Sequence, residues 1–214
     1  MLLNMPSVPE LVSRIIILII AFTIHEFSHA WSAVQLGDET PRRMGRLTLN
    51  PLVHLDPIGS LLLLFAGFGW AKPVQVNPYN LRWGPQMGMA AVAAAGPFSN
   101  LVMAILGAIP FRLGLLGGSG GGSIAGIFPT PSAFLQEFIL INLLLMLFNL
   151  IPIAPLDGSK ILRGFAPREF EGFFIQLEQW GPFLLMALVF LGRGILNVIL
   201  VGPMTFLFHA LVGA

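Results

Sequence analysis

Residues 15–36 read IIILIIAFTIHEFSHAWSAVQL. About 20 consecutive apolar residues are enough to carry an α-helix across a bilayer, and this stretch reaches that length. Three ionisable side chains, His25, Glu26 and His29, lie inside it. An ionisable group at mid-bilayer costs roughly 2.5–3.5 kcal/mol on insertion scales, so such residues are rare in membrane helices and indicate a functional site. The stretch therefore predicts a membrane helix that carries chemistry.

The composition of the whole chain agrees with a membrane protein. Of its 214 residues, 56% are hydrophobic and only 10% are charged, whereas soluble domains carry about 25% charged residues. So few charges could not cover a surface that faces water. The net charge is +1 and no basic cluster is present, which argues against a nucleic-acid partner. The chain has no cysteine, so any metal ion must be held by His, Asp or Glu side chains.

Four further hydrophobic stretches follow the first and are long enough to span a membrane. They cover Met87 to Phe111, Phe138 to Leu156, about Phe173 to Gly192, and Gly194 to Val212. The sequence therefore predicts an all-α polytopic membrane protein with five to six hydrophobic helices. We expect one domain over residues 1–214, with a core at about 9–165 and a C-terminal helical pair at about 173–213.

Residues 58–71, IGSLLLLFAGFGWA, are apolar but short for a spanning helix. Residues 37–86 carry five Lys and Arg and residues 157–172 carry three, whereas residues 114–131 carry none. Cytoplasmic loops are enriched in these basic residues. Both basic stretches lie on one side of the membrane only if residues 58–71 do not cross it. We therefore predict a re-entrant or β-like irregular segment there, with the N-terminus outside.

The spacing of the two histidines in the first helix is typical of a metal site. His25 and His29 are four residues apart, which places both on one face of a helix. Two imidazoles in this arrangement can share one Zn²⁺, with Glu26 as general base for water. The structural alternative is a buried hydrogen-bond network between the histidines and Glu26.

A catalytic zinc needs a third protein ligand, and Asp157 is the strongest candidate. It stands in the segment NLIPIAPLDGSK, where Pro152 and Pro155 interrupt the preceding helix. A non-crossing segment at residues 58–71 would bring Asp157 to the same membrane face as His29. The structural alternative for Asp157 is a helix N-cap, and the two roles can coexist. His54 is a rival third ligand.

Five segments, in order along the chain, resemble the site-2 proteases, which are intramembrane zinc metalloproteases. The segments are HEFSHAW, GDETPRRMGRLTLNPLVHLDPIGS, WAKPVQVNP, AAAGPFSN and NLIPIAPLDG. The similarity is to the short bacterial and archaeal branch, without PDZ or CBS domains. It implies that His25, His29 and Asp157 hold one Zn²⁺ and that Glu26 is the catalytic base. It also implies that Asn149 helps to bind the substrate backbone or to stabilise the oxyanion.

The same resemblance implies a function, a location and partners. We expect hydrolysis of peptide bonds in or near transmembrane helices of membrane-protein substrates, as in regulated intramembrane proteolysis. The protein would be a multi-pass protein of the cell membrane, in contact with lipid, with its active site nearer the cytoplasmic side. The alternatives are a zinc transporter or a pseudoprotease that only captures substrate. Intact Glu26 argues against a pseudoprotease, because a binding site alone does not need that base.

Four other residues are weaker candidates for the site. His54 could assist catalysis or hold the irregular segment by hydrogen bonding. Asn100, which belongs to the Gly96-Pro97-x-x-Asn100 motif of the resemblance, could contact substrate or orient the active-site helices. The irregular region that includes Gly45 and Asn50 could pair with an unwound substrate strand by adding it to an exposed edge.

Overall fold

The computed structural model describes residues 7–59, 62, 70–116, 123–124 and 128–213, with the backbone alone at 123–124 and 193. Within these residues, five helical segments are long and apolar enough to span a membrane. They are Val8–Gln35, Pro85–Arg112, Pro131–Asn149, Arg168–Leu191 and Gly194–Val212. The chain is thus a polytopic, all-α membrane protein, as the sequence predicted.

The helices are numbered in chain order. They are α1 (Val8–Gln35), α2 (Thr40–Arg43), α3 (Pro51–His54), α4 (Pro85–Arg112), α5 (Pro131–Asn149), α6 (Asp157–Phe165), α7 (Glu171–Leu191), α8 (Arg193–Leu196) and α9 (Gly202–Val212). Short 3-10 turns lie at Pro78–Asn80 and Arg168–Phe170, and a π-helical stretch, Asn197–Val201, joins α8 to α9. Strands β1 (Ser123–Ile124) and β2 (Phe128–Pro129) form a small antiparallel pair between α4 and α5.

Helix α4 lies in the middle of the bundle and contacts α1, α5 and α6. Small residues on α4 allow this close packing, since Ala104 and Ala108 are buried against Ile139 and Leu143 of α5. Both α4 and α5 have a proline in the first helical turn, where the missing N–H costs nothing. Helix α4 is therefore the central helix against which α1, α5 and α6 pack.

The third long helix ends earlier than the sequence suggested. We expected a hydrophobic span over Phe138 to Leu156, but α5 covers Pro131–Asn149 and residues 150–156 form turns with a cis peptide bond before Pro155. Pro152 and Pro155 have no N–H with which to continue the helical hydrogen bonds. Asp157 consequently opens a new helix, α6.

The residues on either side of the segment 58–71 lie next to each other in the structure. Residues 60–61 and 63–69 lie outside the described residues, so the predicted re-entrant segment is not itself described. The residues at its two ends are described. Leu55 and Ala71 form an antiparallel bridge, and Lys72 N donates to His54 O at 2.8 Å. Because the two ends of the segment pair with each other, the segment begins and ends at the same place in the structure. This supports the prediction that the segment does not cross the membrane.

Candidate active site and metal centre

Two neighbouring histidines and an aspartate more than a hundred residues further along the chain converge on one point inside the helix bundle. The Nε2 atoms of His25 and His29 on α1 lie 3.0 Å apart. Each of them lies 3.2 Å from Oδ2 of Asp157, the first residue of α6. All three side chains are buried. The structure therefore brings together the three predicted metal ligands.

The spacing and chemistry of these atoms fit a zinc ion. A tetrahedral Zn²⁺ with ligand bonds of about 2.0–2.1 Å places its ligand atoms about 3.3–3.4 Å apart. The observed separations of 3.0 and 3.2 Å are within a few tenths of an ångström of that value. Two imidazole nitrogens and one carboxylate oxygen are a ligand set that catalytic zinc takes, with one position left open. These residues can thus hold Zn²⁺.

Hydrogen bonds to the other ring nitrogens orient both histidines. Nδ1 of His29 lies 2.7 Å from the carbonyl oxygen of Val92, which can only accept, so Nδ1 carries the proton. Nδ1 of His25 lies 2.6 Å from Oδ1 of Asn100. Histidines that ligate metals commonly donate their second N–H to such partners. Both rings therefore present an unprotonated Nε2 to the shared point.

Gly96 on α4 makes room for the two imidazoles. A Cβ at this position would lie 2.5 Å from Nε2 of His29 and 2.6 Å from Cε1 of His25. Helix α4 can close against the ring pair only because residue 96 has no side chain. The sequence does not show which side chains face Gly96 across the helix pair, so its contact with the two ligands was not predicted. Its place in the Gly96-Pro97-x-x-Asn100 motif was the signal that could have identified it.

The turn before α6 places the carboxylate of Asp157. A Cβ on Gly158 would lie 2.3 Å from Leu150 O and 2.5 Å from Ile151 O, so α6 begins in direct contact with that turn. Oδ2 of Asp157 lies 3.2 Å from the Nε2 atom of each histidine, so the carboxyl group faces the point that the two rings share. A metal bound there takes the carboxylate in its ionised form.

Glu26 lies beside the metal ligands and contacts a second part of the chain. It directly follows His25 and is buried, and its Oε2 accepts a hydrogen bond from Val74 N at 3.2 Å. Val74 belongs to residues 72–77, which run without helix or turn. The predicted base is therefore held between the zinc ligands and this non-helical segment.

His54, Gly45 and Asn50 all lie in the irregular region between α1 and α4. His54 is fully buried and its Nε2 lies 2.7 Å from Thr48 O, so it holds the irregular segment and is not part of the metal group. Asn50 caps α3 by accepting from Leu52 N at 3.1 Å, and Gly45 has a φ of +70° in the turn after α2. The expected catalytic role of His54 and the expected substrate contacts of Gly45 and Asn50 stay predictions.

Asn100 bonds two buried side chains of other helices, and its expected contact with substrate stays a prediction. It is fully buried, and besides bonding His25 it donates from Nδ2 to Asn142 Oδ1 at 2.9 Å, so both ends of its amide are occupied. Asn100 is therefore a residue that positions His25. Asn149 is half-buried and donates to Leu145 O of its own helix at 3.0 Å. Its role toward substrate stays a prediction.

Comparisons with known proteins agree with this site. The family model of peptidase family M50 matches residues 122–191, which include Asp157. "Putative zinc metalloprotease YwhC" of Bacillus subtilis (strain 168) is 41% identical over 174 residues, covering 81% of this chain and 78% of that protein. "Putative zinc metalloprotease Rip2" of Mycolicibacterium smegmatis is 32% identical over 174 residues, covering 80% of this chain and 64% of that protein. No solved structure matches the chain significantly.

The first of these similarities extends over most of both chains, at an identity that common descent explains. The names of both relatives give zinc as the metal, and His25, His29 and Asp157 form the group that can bind it. The chain therefore belongs to peptidase family M50, among the site-2 protease type of zinc metalloproteases.

Proposed function

We propose that this protein is an intramembrane zinc endopeptidase, which hydrolyses a peptide bond in or near a transmembrane helix of a membrane-protein substrate. The observation that supports the proposal is made on one membrane-spanning helix. This helix carries the ligands His25 and His29 and the buried carboxylate of Glu26, and Asp157 joins them from α6. His29 is six residues from the end of α1, or about 9 Å along the helix axis. Membrane segments are the peptides that reach a site at this depth.

Different residues of the chain have different roles in the proposed hydrolysis. His25, His29 and Asp157 would hold a zinc ion, which would supply polarisation of the scissile carbonyl and a lowered pKa of water. Glu26 takes the proton from the attacking water and passes it to the leaving amine. Asn149, the last residue of α5 before the turns that lead to Asp157, helps to hold the substrate backbone or the oxyanion.

We place the active site nearer the cytoplasmic face of the cell membrane. The segments that reach the site come from the two basic stretches: Val74 of residues 37–86 contacts Glu26, and Asp157 opens residues 157–172. The excess of Lys and Arg in these stretches is the signature of cytoplasmic loops. Water would then reach the site from that side.

Residues 74–76 are the best candidate for an edge that accepts an unwound substrate. Arg46 fixes one end of this segment by donating to Lys72 O at 3.2 Å and Pro73 O at 3.0 Å. Asp38 fixes the other end by accepting from Asn77 N at 2.7 Å. Between them, the N–H groups of Gln75 and Val76 have no hydrogen-bond partner among the described residues. A substrate strand could pair there by strand addition, beside Glu26.

Replacing Gln75 by proline tests this edge. The Gln75→Pro variant removes one unpaired N–H, and one lost hydrogen bond of about 0.5–1.5 kcal/mol raises KM about 2- to 13-fold. Gln75→Ala is the matched control, since it removes the exposed side chain and keeps the N–H. We expect the alanine variant to keep the wild-type KM in a cleavage assay. Equal KM values for both variants would show that substrate does not pair at this edge.

The proposed function is tested by Glu26→Gln. Glutamine keeps the shape and an acceptor for Val74 N but cannot take up a proton, so we expect cleavage of a membrane-segment peptide in detergent to fall by about 10²- to 10⁴-fold. The zinc content should stay at the wild-type level. If both proteins cleave equally, Glu26 is not the base. If wild type holds zinc and cleaves no membrane segment, the protease proposal fails in favour of a binding protein.

A further inference from the structure

Asn142 on α5 ends a chain of hydrogen bonds that starts at a metal ligand. His25 Nδ1 lies 2.6 Å from Asn100 Oδ1, and Asn100 Nδ2 donates to Asn142 Oδ1 at 2.9 Å. Asn142 Nδ2 in turn donates to Phe138 O at 2.9 Å. Asn100 and Asn142 are both fully buried. The chain thus joins α1, α4 and α5 through two fully buried side chains.

The direction of every hydrogen bond in this chain is set at its far end. Phe138 O is a main-chain carbonyl and can only accept, so the NH₂ group of Asn142 must face it and its oxygen must face Asn100. Asn100 must then turn its NH₂ group toward Asn142 and its oxygen toward His25. An oxygen in that position requires a proton on Nδ1 of His25. The remaining nitrogen, Nε2, is left with a free lone pair.

We propose that Asn142 is a positioning residue of the metal site, which selects the His25 tautomer that can bind zinc. Asn142 does not touch the ligand atoms, and it acts through Asn100. The inference rests on the proposed metal site, and it does not depend on proteolysis. Residues that orient metal-bound histidines typically change metal affinity by about 10- to 100-fold when they are removed.

A role in helix packing alone would give a different result. A packing residue could be replaced by any side chain that fills its volume. Loss of the Asn142 oxygen, however, frees the amide of Asn100 to rotate and present its NH₂ group to His25. Nδ1 would then have to accept, and the proton would move to Nε2, where it competes with the metal.

Zinc affinity of the full chain in detergent, measured by competition with a chelating dye, tests the proposal. We expect Asn142→Leu to bind zinc about 10- to 100-fold more weakly than wild type. Asn142→Asp is the conservative variant: in its protonated form the carboxyl group offers an acceptor to Asn100 and a donor to Phe138 O, so zinc affinity should return to within a few-fold of wild type. Leu143→Ala is the control for packing, because Leu143 is the next residue and is equally buried. It should lower the unfolding temperature and keep the zinc affinity.

A second readout reports the tautomer directly. Nitrogen NMR of ring-labelled histidine in the metal-free protein should show His25 protonated at Nδ1 in wild type and Asn142→Asp, and not in Asn142→Leu. Wild-type zinc affinity in Asn142→Leu, or an equal loss in Leu143→Ala, would overturn the inference. Wild-type protein without zinc would overturn the metal site as well, whereas absence of cleavage with zinc bound would overturn the protease proposal alone.

Discussion

The Asp157→Ala protein is expected to lose its zinc, and with it all cleavage. Asp157 Oδ2 is the only carboxylate oxygen within reach of both imidazoles among the described residues, at 3.2 Å from each. Two histidines alone do not make up the three protein ligands of a catalytic zinc site. Since outer partners of a ligand already cost about 10- to 100-fold in affinity, loss of the ligand itself should cost more than 100-fold. Zinc per chain, measured after dialysis against buffered free zinc, is the readout.

Asp38→Ala is the matched control for the loss of a buried aspartate. Asp38 is fully buried and accepts from Thr40 Oγ1 at 2.6 Å, Asn77 N at 2.7 Å and Asn80 Nδ2 at 3.0 Å. Burial opposes its ionisation, but these hydrogen bonds outweigh burial and lower the pKa of Asp38. Its removal should reduce stability and leave one zinc per chain. Wild-type zinc content in Asp157→Ala would contradict the assignment of the third ligand.

Gly96→Ala is expected to weaken zinc binding although alanine is the better helix former. In an ordinary helix interior this exchange stabilises by about 0.5–1 kcal/mol. Here the new Cβ would lie 2.5 Å from Nε2 of His29 and 2.6 Å from Cε1 of His25, much closer than two non-bonded atoms can approach. Either the rings turn away from Asp157 or α4 moves outward and strains the bonds from Val92 and Asn100. We expect a loss of zinc affinity of at least 100-fold, comparable to the loss of a ligand.

A second glycine on α4 provides the comparison for this variant. A Cβ on Gly107 would lie 2.9 Å from the ring of Phe138, so Gly107→Ala also introduces crowding, but away from the metal group. It should lower the unfolding temperature and leave zinc affinity unchanged. Zinc competition titrations of both variants separate the two effects. Equal affinities in wild type and Gly96→Ala would show that the rings do not depend on this close approach.

The parts of the site that depend on local spacing could be predicted from the sequence. His25, Glu26 and His29 lie within five residues on one helix, so helical geometry alone places them together. Asp157 required more, because it joins the site only if the chain between α1 and α4 returns to the same membrane face. The distribution of Lys and Arg supplied that condition, and the paired ends at Leu55 and Ala71 agree with it.

The supporting residues could not be assigned in the same way, because their partners are distant in sequence. Asn100 bonds a histidine 75 residues away, and Asn142 bonds Asn100 across 42 residues. The sequence around an asparagine in an apolar helix looks the same whether the asparagine binds substrate, packs helices or orients a metal ligand. His54 shows the opposite case: its partner Thr48 is only six residues away, and hydrogen bonding that holds the irregular segment was one of the two roles expected from the sequence.

The ligand set of the bound metal tests the central claim most directly. X-ray absorption at the zinc edge of the purified wild-type protein should show one zinc per chain with two imidazole nitrogens and a carboxylate oxygen at about 2.0–2.2 Å. The same measurement on Asp157→Ala should find no tightly bound zinc. A spectrum with three imidazoles would place another histidine, such as His54, in the position of Asp157 and contradict the site described above. A wild-type protein that takes up no zinc would contradict the whole account.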